Sequence, residues 1–107
     1  LVIDDSIVRG NTCKHIIKEL RKGNPKKITF ISCSPPVRYP NIYGISIPTY
    51  DELIAHERSI DEIRKELDID ELFYLSLDSI KEVLNNLNPS IQQFEDSSFT
   101  GQYITNE

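Results

Sequence analysis

Long apolar runs are missing from this chain of 107 residues; none approaches the roughly 20 residues that a membrane-crossing helix needs. No helical membrane span is therefore expected. Cysteine is scarce, and the spacing of the two present, Cys13 and Cys33, fits neither a secretory disulfide framework nor a zinc ligand set. Cytoplasmic residence is the expectation. Positive charge is in deficit too. Twelve Lys and Arg stand against 17 Asp and Glu, a formal net charge of -5. That balance argues against a general nucleic-acid surface, which needs clustered cations to displace counterions. A small anion is not, because one loop and one helix terminus can bind a single phosphate whatever the overall charge. Internal repeats and low-complexity tracts are also absent, and the length suits one domain or part of one.

What is present is concentrated at the start. Leu1-Val2-Ile3 is a continuous apolar strand of the kind a parallel sheet buried on both faces requires. Asp4 and Asp5 follow it, then a short loop containing Gly10, then helical periodicity. In parallel sheets ligands sit at the carboxyl ends of strands. Two acids there suit sugar hydroxyls, directly or through a magnesium ion, which prefers carboxylate oxygens and keeps several waters. The loop and the helix start behind them offer converging backbone N–H groups and a favourable dipole to a phosphate. A phosphorylated sugar satisfies both halves.

Beyond the loop, Cys13, Ile16, Ile17 and Leu20 recur at helical spacing, with Lys14, Lys18, Glu19 and Lys22 on the other face and Gly23 as the stop. Residues 28–33 are rich in β-formers and read as the next strand, completing a strand-loop-helix-strand unit whose crossover is expected to be right-handed. Residues 34–48 carry Pro35, Pro36, Pro40 and Pro48 and read as a loop, with a short extended piece over 42–47. Two capping boxes, Thr49 with Glu52 and Ser59 with Glu62, predict two helix starts. Ile60, Ile63 and Leu67 form the buried face of the second. Residues 72–76 read as a strand. Asp78 is expected to cap a further helix with the stripe Ile80, Val83, Leu84 and Leu87, closed by the Asn85-Asn86 and Asn88-Pro89 pairs. From Ser90 onward an irregular tail, packed by Phe94, Phe99 and Tyr103, is expected.

The run Ile3-Asp4-Asp5-Ser6-Ile7-Val8-Arg9-Gly10-Asn11-Thr12 resembles the phosphoribosyl pyrophosphate motif of type I phosphoribosyltransferases. Three later stretches, residues 34–45, 51–56 and 99–103, resemble the amidophosphoribosyltransferase family more narrowly. The resemblance implies an α/β fold: a partial type I phosphoribosyltransferase fold, a mainly parallel sheet flanked by helices. Residues 1–89 would be the carboxyl-side part of the phosphoribosyltransferase domain, and 90–107 an irregular tail of the same domain. The family's amino-terminal glutaminase domain, its upstream strands and its flexible loop have no counterpart here. A chain opening inside a buried strand is thus expected to be a fragment of a longer protein, inactive alone, and poorly soluble or paired with another copy.

The same resemblance implies that Asp4 and Asp5 hold the ribose hydroxyls of phosphoribosyl pyrophosphate and its Mg2+. Ser6, Ile7, Val8, Arg9, Gly10, Asn11 and Thr12 would wrap the 5-phosphate through backbone amides and the hydroxyls of Ser6 and Thr12. No catalytic residue is implied within this chain. Asn11 stands where the family usually has threonine, and asparagine still donates and still adopts turn geometry. Leu53 would lie beside the route by which ammonia crosses between domains. Some members carry an iron–sulfur cluster whose cysteine ligands include the positions that are Asn41, Glu95 and Ser98 here; clusters need thiolates, so none is predicted. The implied partners are phosphoribosyl pyrophosphate, the protein's own glutaminase domain and further copies of the same subunit.

Bland readings stand beside these. Cys13, on an apolar stripe, reads as a core residue rather than a nucleophile. Arg9 either faces pyrophosphate or is solvated, and Arg38 either approaches the substrate or fixes its loop. His15 and His56 lack any partner at metal-ligand spacing and read as structural. Two other functions share the first motif: a nucleobase salvage phosphoribosyltransferase and a non-enzymatic phosphoribosyl pyrophosphate-binding regulator. Residues 34–45 and 52–56 argue against the salvage enzyme.

Overall fold

A computed structural model describes residues 1–44 and 49–105. Three short strands form one parallel sheet in the order β1 (Val2–Asp4), β2 (Thr29–Ser32), β3 (Glu71–Tyr74). Helix α1 (Asn11–Arg21) connects the first pair and α2 (Ile60–Leu67) precedes the third strand. The expected strand-loop-helix-strand unit is present, with Val2 opposite Phe30 and Asp4 opposite Ser32.

The register sorts the strand side chains onto two faces, because alternate residues point to opposite sides. Val2, Phe30 and Leu72 share one row. They belong to a core that also holds Cys13 and Ile17 of α1 and Ile63 and Leu67 of α2. Ile3, Ile31 and Phe73 share the opposite face, where Ile3 is 61% and Phe73 53% exposed. The expectation of a first strand buried on both faces is thus corrected among the described residues: both helices that pack are on one side. The helices are also joined outside the core. Lys14 pairs with Glu66 at 3.0 Å, and Arg21 donates to the Asp68 carbonyl at 2.8 Å.

Several local expectations shift for identifiable reasons. Helix α1 ends as anticipated near Gly23, but the left-handed residue that turns the chain is Asn24, at φ 50°. The Ser59 capping box forms in full, each partner bonding the other's backbone N–H. The Thr49 box does not. Thr49 makes no side-chain capping bond, and Tyr50–Glu52 form only one 3-10 turn, with Glu52 drawn instead to Arg9. In α2, Ile63 and Leu67 are buried but Ile60, at the first position, is 43% exposed. The cap of α3 (Leu77–Leu87) is Ser76, whose hydroxyl accepts from the Ser79 N–H, and Asp78 lies inside the first turn. The α3 stripe is not covered: Val83 is 56% and Leu87 77% exposed. This helix is joined to the tail through Lys81 and Asp96, 2.5 Å apart. The tail contains one helical turn, α4 (Ser97–Thr100), and Phe94, Phe99 and Tyr103 are half-buried in it. The loop after β2 has no helix or strand over residues 34–44; the rest of the extended piece anticipated there, Ile45, Ser46 and Ile47, lies outside the described residues.

The two potential capping boxes make a matched test. Replacing Ser59 with alanine should destabilise the protein by about 1 kcal/mol, the usual worth of a serine N-cap. Thr49→Ala should stay within about 0.5 kcal/mol, as for a surface change away from any specific contact. Urea-denaturation midpoints of the two variants check the contrast.

Candidate functional site

The carboxyl ends of the three strands carry Asp4, Ser32 and Tyr74 in register. Beyond β1 the chain turns through residues 5–10 into α1, and this path lines an open cleft of about 450 Å³ bounded by the residues from Asp4 to Cys13. All the residues that the sequence nominates for phosphoribosyl pyrophosphate therefore border one cavity. Its base is fixed to the sheet by the Asp4 carbonyl, which accepts from the Cys33 N–H at 2.9 Å.

The acids and the loop use their polar groups differently. Asp4 accepts from the Asp5 N–H through Oδ1 at 2.9 Å, and Asp5 accepts from the Ser6 hydroxyl through Oδ1 at 3.1 Å. Asp4 is half-buried and Asp5 exposed, so both remain accessible to a sugar or a hydrated cation. Ile7 is different. It is 2% exposed and belongs to the core, anchoring the loop so that only its backbone is available. Gly10 turns the chain into α1 at φ 84°, and no side chain caps the helix and no acid lies in its first turn. Unpaired amide donors and the positive end of the helix dipole thus face the cleft, the arrangement that favours an anion.

The loop rests on a segment remote in sequence. The Ile54 N–H donates to the Val8 carbonyl at 3.0 Å, and a Cβ on Gly10 would stand 2.7 Å from Ile54 Cδ1. Leu53, Ile54 and Ala55 are buried at 2%, 3% and 0% exposure. Arg9, which borders the cleft, is paired with Glu52, with Nε at 3.3 Å and Nη2 at 3.2 Å from the same oxygen. Nothing in the spacing of the sequence announces either contact. Arg38 is resolved as a loop fastener: its Nη1 donates to the Ala55 carbonyl at 2.6 Å and the Arg58 carbonyl at 2.7 Å. His56 stacks beside Tyr50, with ring centroids 4.8 Å apart, and His15 is exposed.

Cys13 is a core residue. Burial, helped by the nearby Asp4 charge, pushes its thiol up to about 11. The positions Asn41, Glu95 and Ser98 lie close together. The Asn41 amide donates to Glu95 at 3.4 Å and to the Ser97 hydroxyl at 3.0 Å, and the Ser98 carbonyl accepts from the Arg38 and Tyr39 N–H groups. Among the described residues, no group of three or more His, Cys, Asp or Glu could hold a metal ion. A magnesium ion that keeps most of its waters needs only one or two carboxylates plus substrate oxygens. The Asp4 and Asp5 pair meets that requirement.

No protein-family model matches the chain. Solved structures do. A B. subtilis glutamine phosphoribosylpyrophosphate amidotransferase complexed with ADP and GMP superposes with a TM-score of 0.77 at 34% identity, over 96% of this chain and 23% of that one. A second structure, described as the allosteric regulatory enzyme of purine biosynthesis, gives 0.77 at 35% identity with the same coverage. The fold is that of a type I phosphoribosyltransferase segment. Among curated sequences, the amidophosphoribosyltransferases of Pasteurella multocida and Escherichia coli are 48% and 45% identical over all 107 residues, and that of Saccharomyces cerevisiae is 36% identical over 105. The chain is similar along its whole length to one segment of these amidophosphoribosyltransferases. It spans 21% of the length of the two bacterial relatives.

Two outcomes follow from this geometry. Gly10→Ala should cost about 1–2 kcal/mol for the left-handed backbone alone, and Ile54→Val should recover only the steric part of the loss; denaturation midpoints of the single and double variants separate the two. Cys13, a neutral thiol well above pH 7, should resist a thiol reagent at pH 8 while exposed Cys33 reacts. The unfolded chain ionises Cys13 near 9.0 and the folded chain near 11, so its contribution to stability is complete below pH 9 and falls as pH rises toward 11.

Proposed function

We propose that the protein carrying this chain is an amidophosphoribosyltransferase, which forms 5-phosphoribosylamine from phosphoribosyl pyrophosphate and glutamine-derived ammonia at the first committed step of purine synthesis. The observation that carries this reading is the shared cleft, in which the acid pair and the uncapped α1 terminus stand at opposite ends of one loop. Identity along the full chain to enzymes of that name favours it over a salvage transferase.

In this reading the amides of residues 6–12, with the Ser6 and Thr12 hydroxyls, hold the 5-phosphate. Asp4 and Asp5 orient the ribose hydroxyls and hold Mg2+, which when bound neutralises pyrophosphate charge. The ammonia lone pair forms the new C–N bond at the anomeric carbon while the C–O bond breaks and its electrons leave with pyrophosphate. The carboxylates favour the positive charge that builds on the sugar, and positioning supplies much of the acceleration. Arg9 borders the cleft while its Nε and Nη2 pair with Glu52. Buried Leu53, beside the loop floor, lines the route of ammonia, where an apolar wall keeps it unprotonated. The remainder of the protein provides the glutaminase domain, and the enzyme assembles from several subunits in the cytoplasm. No helix among the described residues is long and apolar enough to cross a membrane. With amide, carboxylate and hydroxyl at positions 41, 95 and 98, we propose that no iron–sulfur cluster is bound.

Calorimetric titration with phosphoribosyl pyrophosphate and Mg2+ tests the site: Asp4→Asn with Asp5→Asn should abolish saturable binding while leaving the thermal transition in place. Binding unchanged in that double variant would sink the assignment. Leu53→Ala in the full-length protein should lower the glutamine-dependent rate more than the rate with added ammonia. Equal effects on both would remove Leu53 from the ammonia route.

A further inference from the structure

We infer that Arg38 is a positioning residue for the phosphate loop, acting through the floor on which the loop rests. The inference builds on the proposed phosphoribosyl pyrophosphate site. Arg38 touches no part of the cleft, whose lining runs from Asp4 to Cys13. Its influence passes through three contacts.

The first is the guanidinium itself. One nitrogen, Nη1, donates to the carbonyls of Ala55 and Arg58 at 2.6 and 2.7 Å. These carbonyls flank Glu57, which is held at φ 51°, a left-handed conformation that a residue with a side chain adopts only under constraint. Arg58 closes the same turn from within by donating to the Ile54 carbonyl at 3.1 Å. The second contact is the floor. Ile54 bonds Val8 through its N–H, and its side chain fills the space that a Cβ on Gly10 would occupy. A shift of the turn is therefore transmitted to residues 8–10, where the loop enters α1. The third contact sets the origin of the lever. The Arg38 N–H and the neighbouring Tyr39 N–H both donate to the Ser98 carbonyl, and flanking Pro35 and Val37 are buried. Arg38 is thus presented from a fixed backbone, and its charge, which meets no carboxylate among the described residues, is directed at carbonyls.

A charged donor is stronger than a neutral one and its planar fork is pre-organised. Lysine retains the charge but not the fork, so it should restore part of the function. Glutamine should restore less.

The test uses the full-length protein and phosphoribosyl pyrophosphate with Mg2+. Arg38→Gln should raise KM for phosphoribosyl pyrophosphate roughly tenfold or more, the loss expected from removing the charge-assisted bonds to the floor. Its kcat should be nearly unchanged, and Arg38→Lys should fall between the two. A merely structural defect lowers kcat, by reducing the active fraction, and leaves KM alone. Hydrogen exchange supplies the second readout: the Ile54 amide should exchange faster in Arg38→Lys while that of core Ile63 is unaffected. An unchanged KM in both variants, or an Ile54 amide as protected as in the wild type, overturns the inference. If the Asp4→Asn, Asp5→Asn double variant also leaves KM unchanged, the proposed site itself fails.

Discussion

The packing of Ile54 beneath Gly10 is the contact on which the cleft depends. A loop that presents backbone amides to an anion cannot fold over a core of its own, because its polar groups must stay available. It has to be supported from below. Gly10 permits this twice, by adopting φ 84° and by lacking the Cβ that Ile54 Cδ1 would meet at 2.7 Å. Ile7, pointing inward a few residues earlier, gives the loop its second attachment. Between these anchors the backbone is raised toward the cleft, and the α1 terminus opens without a cap.

The floor in turn is held from outside the first half of the chain. Residues 53–58 form no regular element apart from turns, so their shape is supplied by partners: Val8 on one side, the Arg38 and Arg58 guanidinium groups on the other. The Pro-rich stretch that delivers Arg38 is pinned by the tail, through Ser98, through the Asn41 bonds to Glu95 and Ser97, and through Tyr103, whose hydroxyl donates to the Pro40 carbonyl at 3.2 Å. The far end of the chain thus constrains the near end by a relay of short contacts. Three strands alone would not do so, since among the described residues the sheet is packed by helices α1 and α2 on one face and α3 leaves its apolar stripe exposed.

Periodic elements were the most readable part. Helices α1 and α2, all three strands and the Ser59 box follow from hydrophobic spacing and capping chemistry, which act within a few residues. The failures have causes that lie beyond the local sequence. Thr49 and Glu52 have the letters of a capping box, yet Arg9, 43 positions away from Glu52, takes the carboxylate. Val83, Leu84 and Leu87 have the spacing of a buried stripe, but spacing describes a face and not whether anything covers it.

The order of apolar strand, acid pair, glycine-bearing loop and helix was enough, by itself, to determine which residues would border one cleft at the strand end. Those residues are contiguous, and a strand end followed by a helix start has one geometry. Which side chains support that loop was decided only by the tertiary structure. Ile54 and Glu52 reach it across gaps of tens of residues, Arg38 acts through the floor beneath it, and no periodicity connects them. Their roles arise from packing against a left-handed glycine and from carbonyls that need a donor, conditions that exist only once the chain has closed on itself.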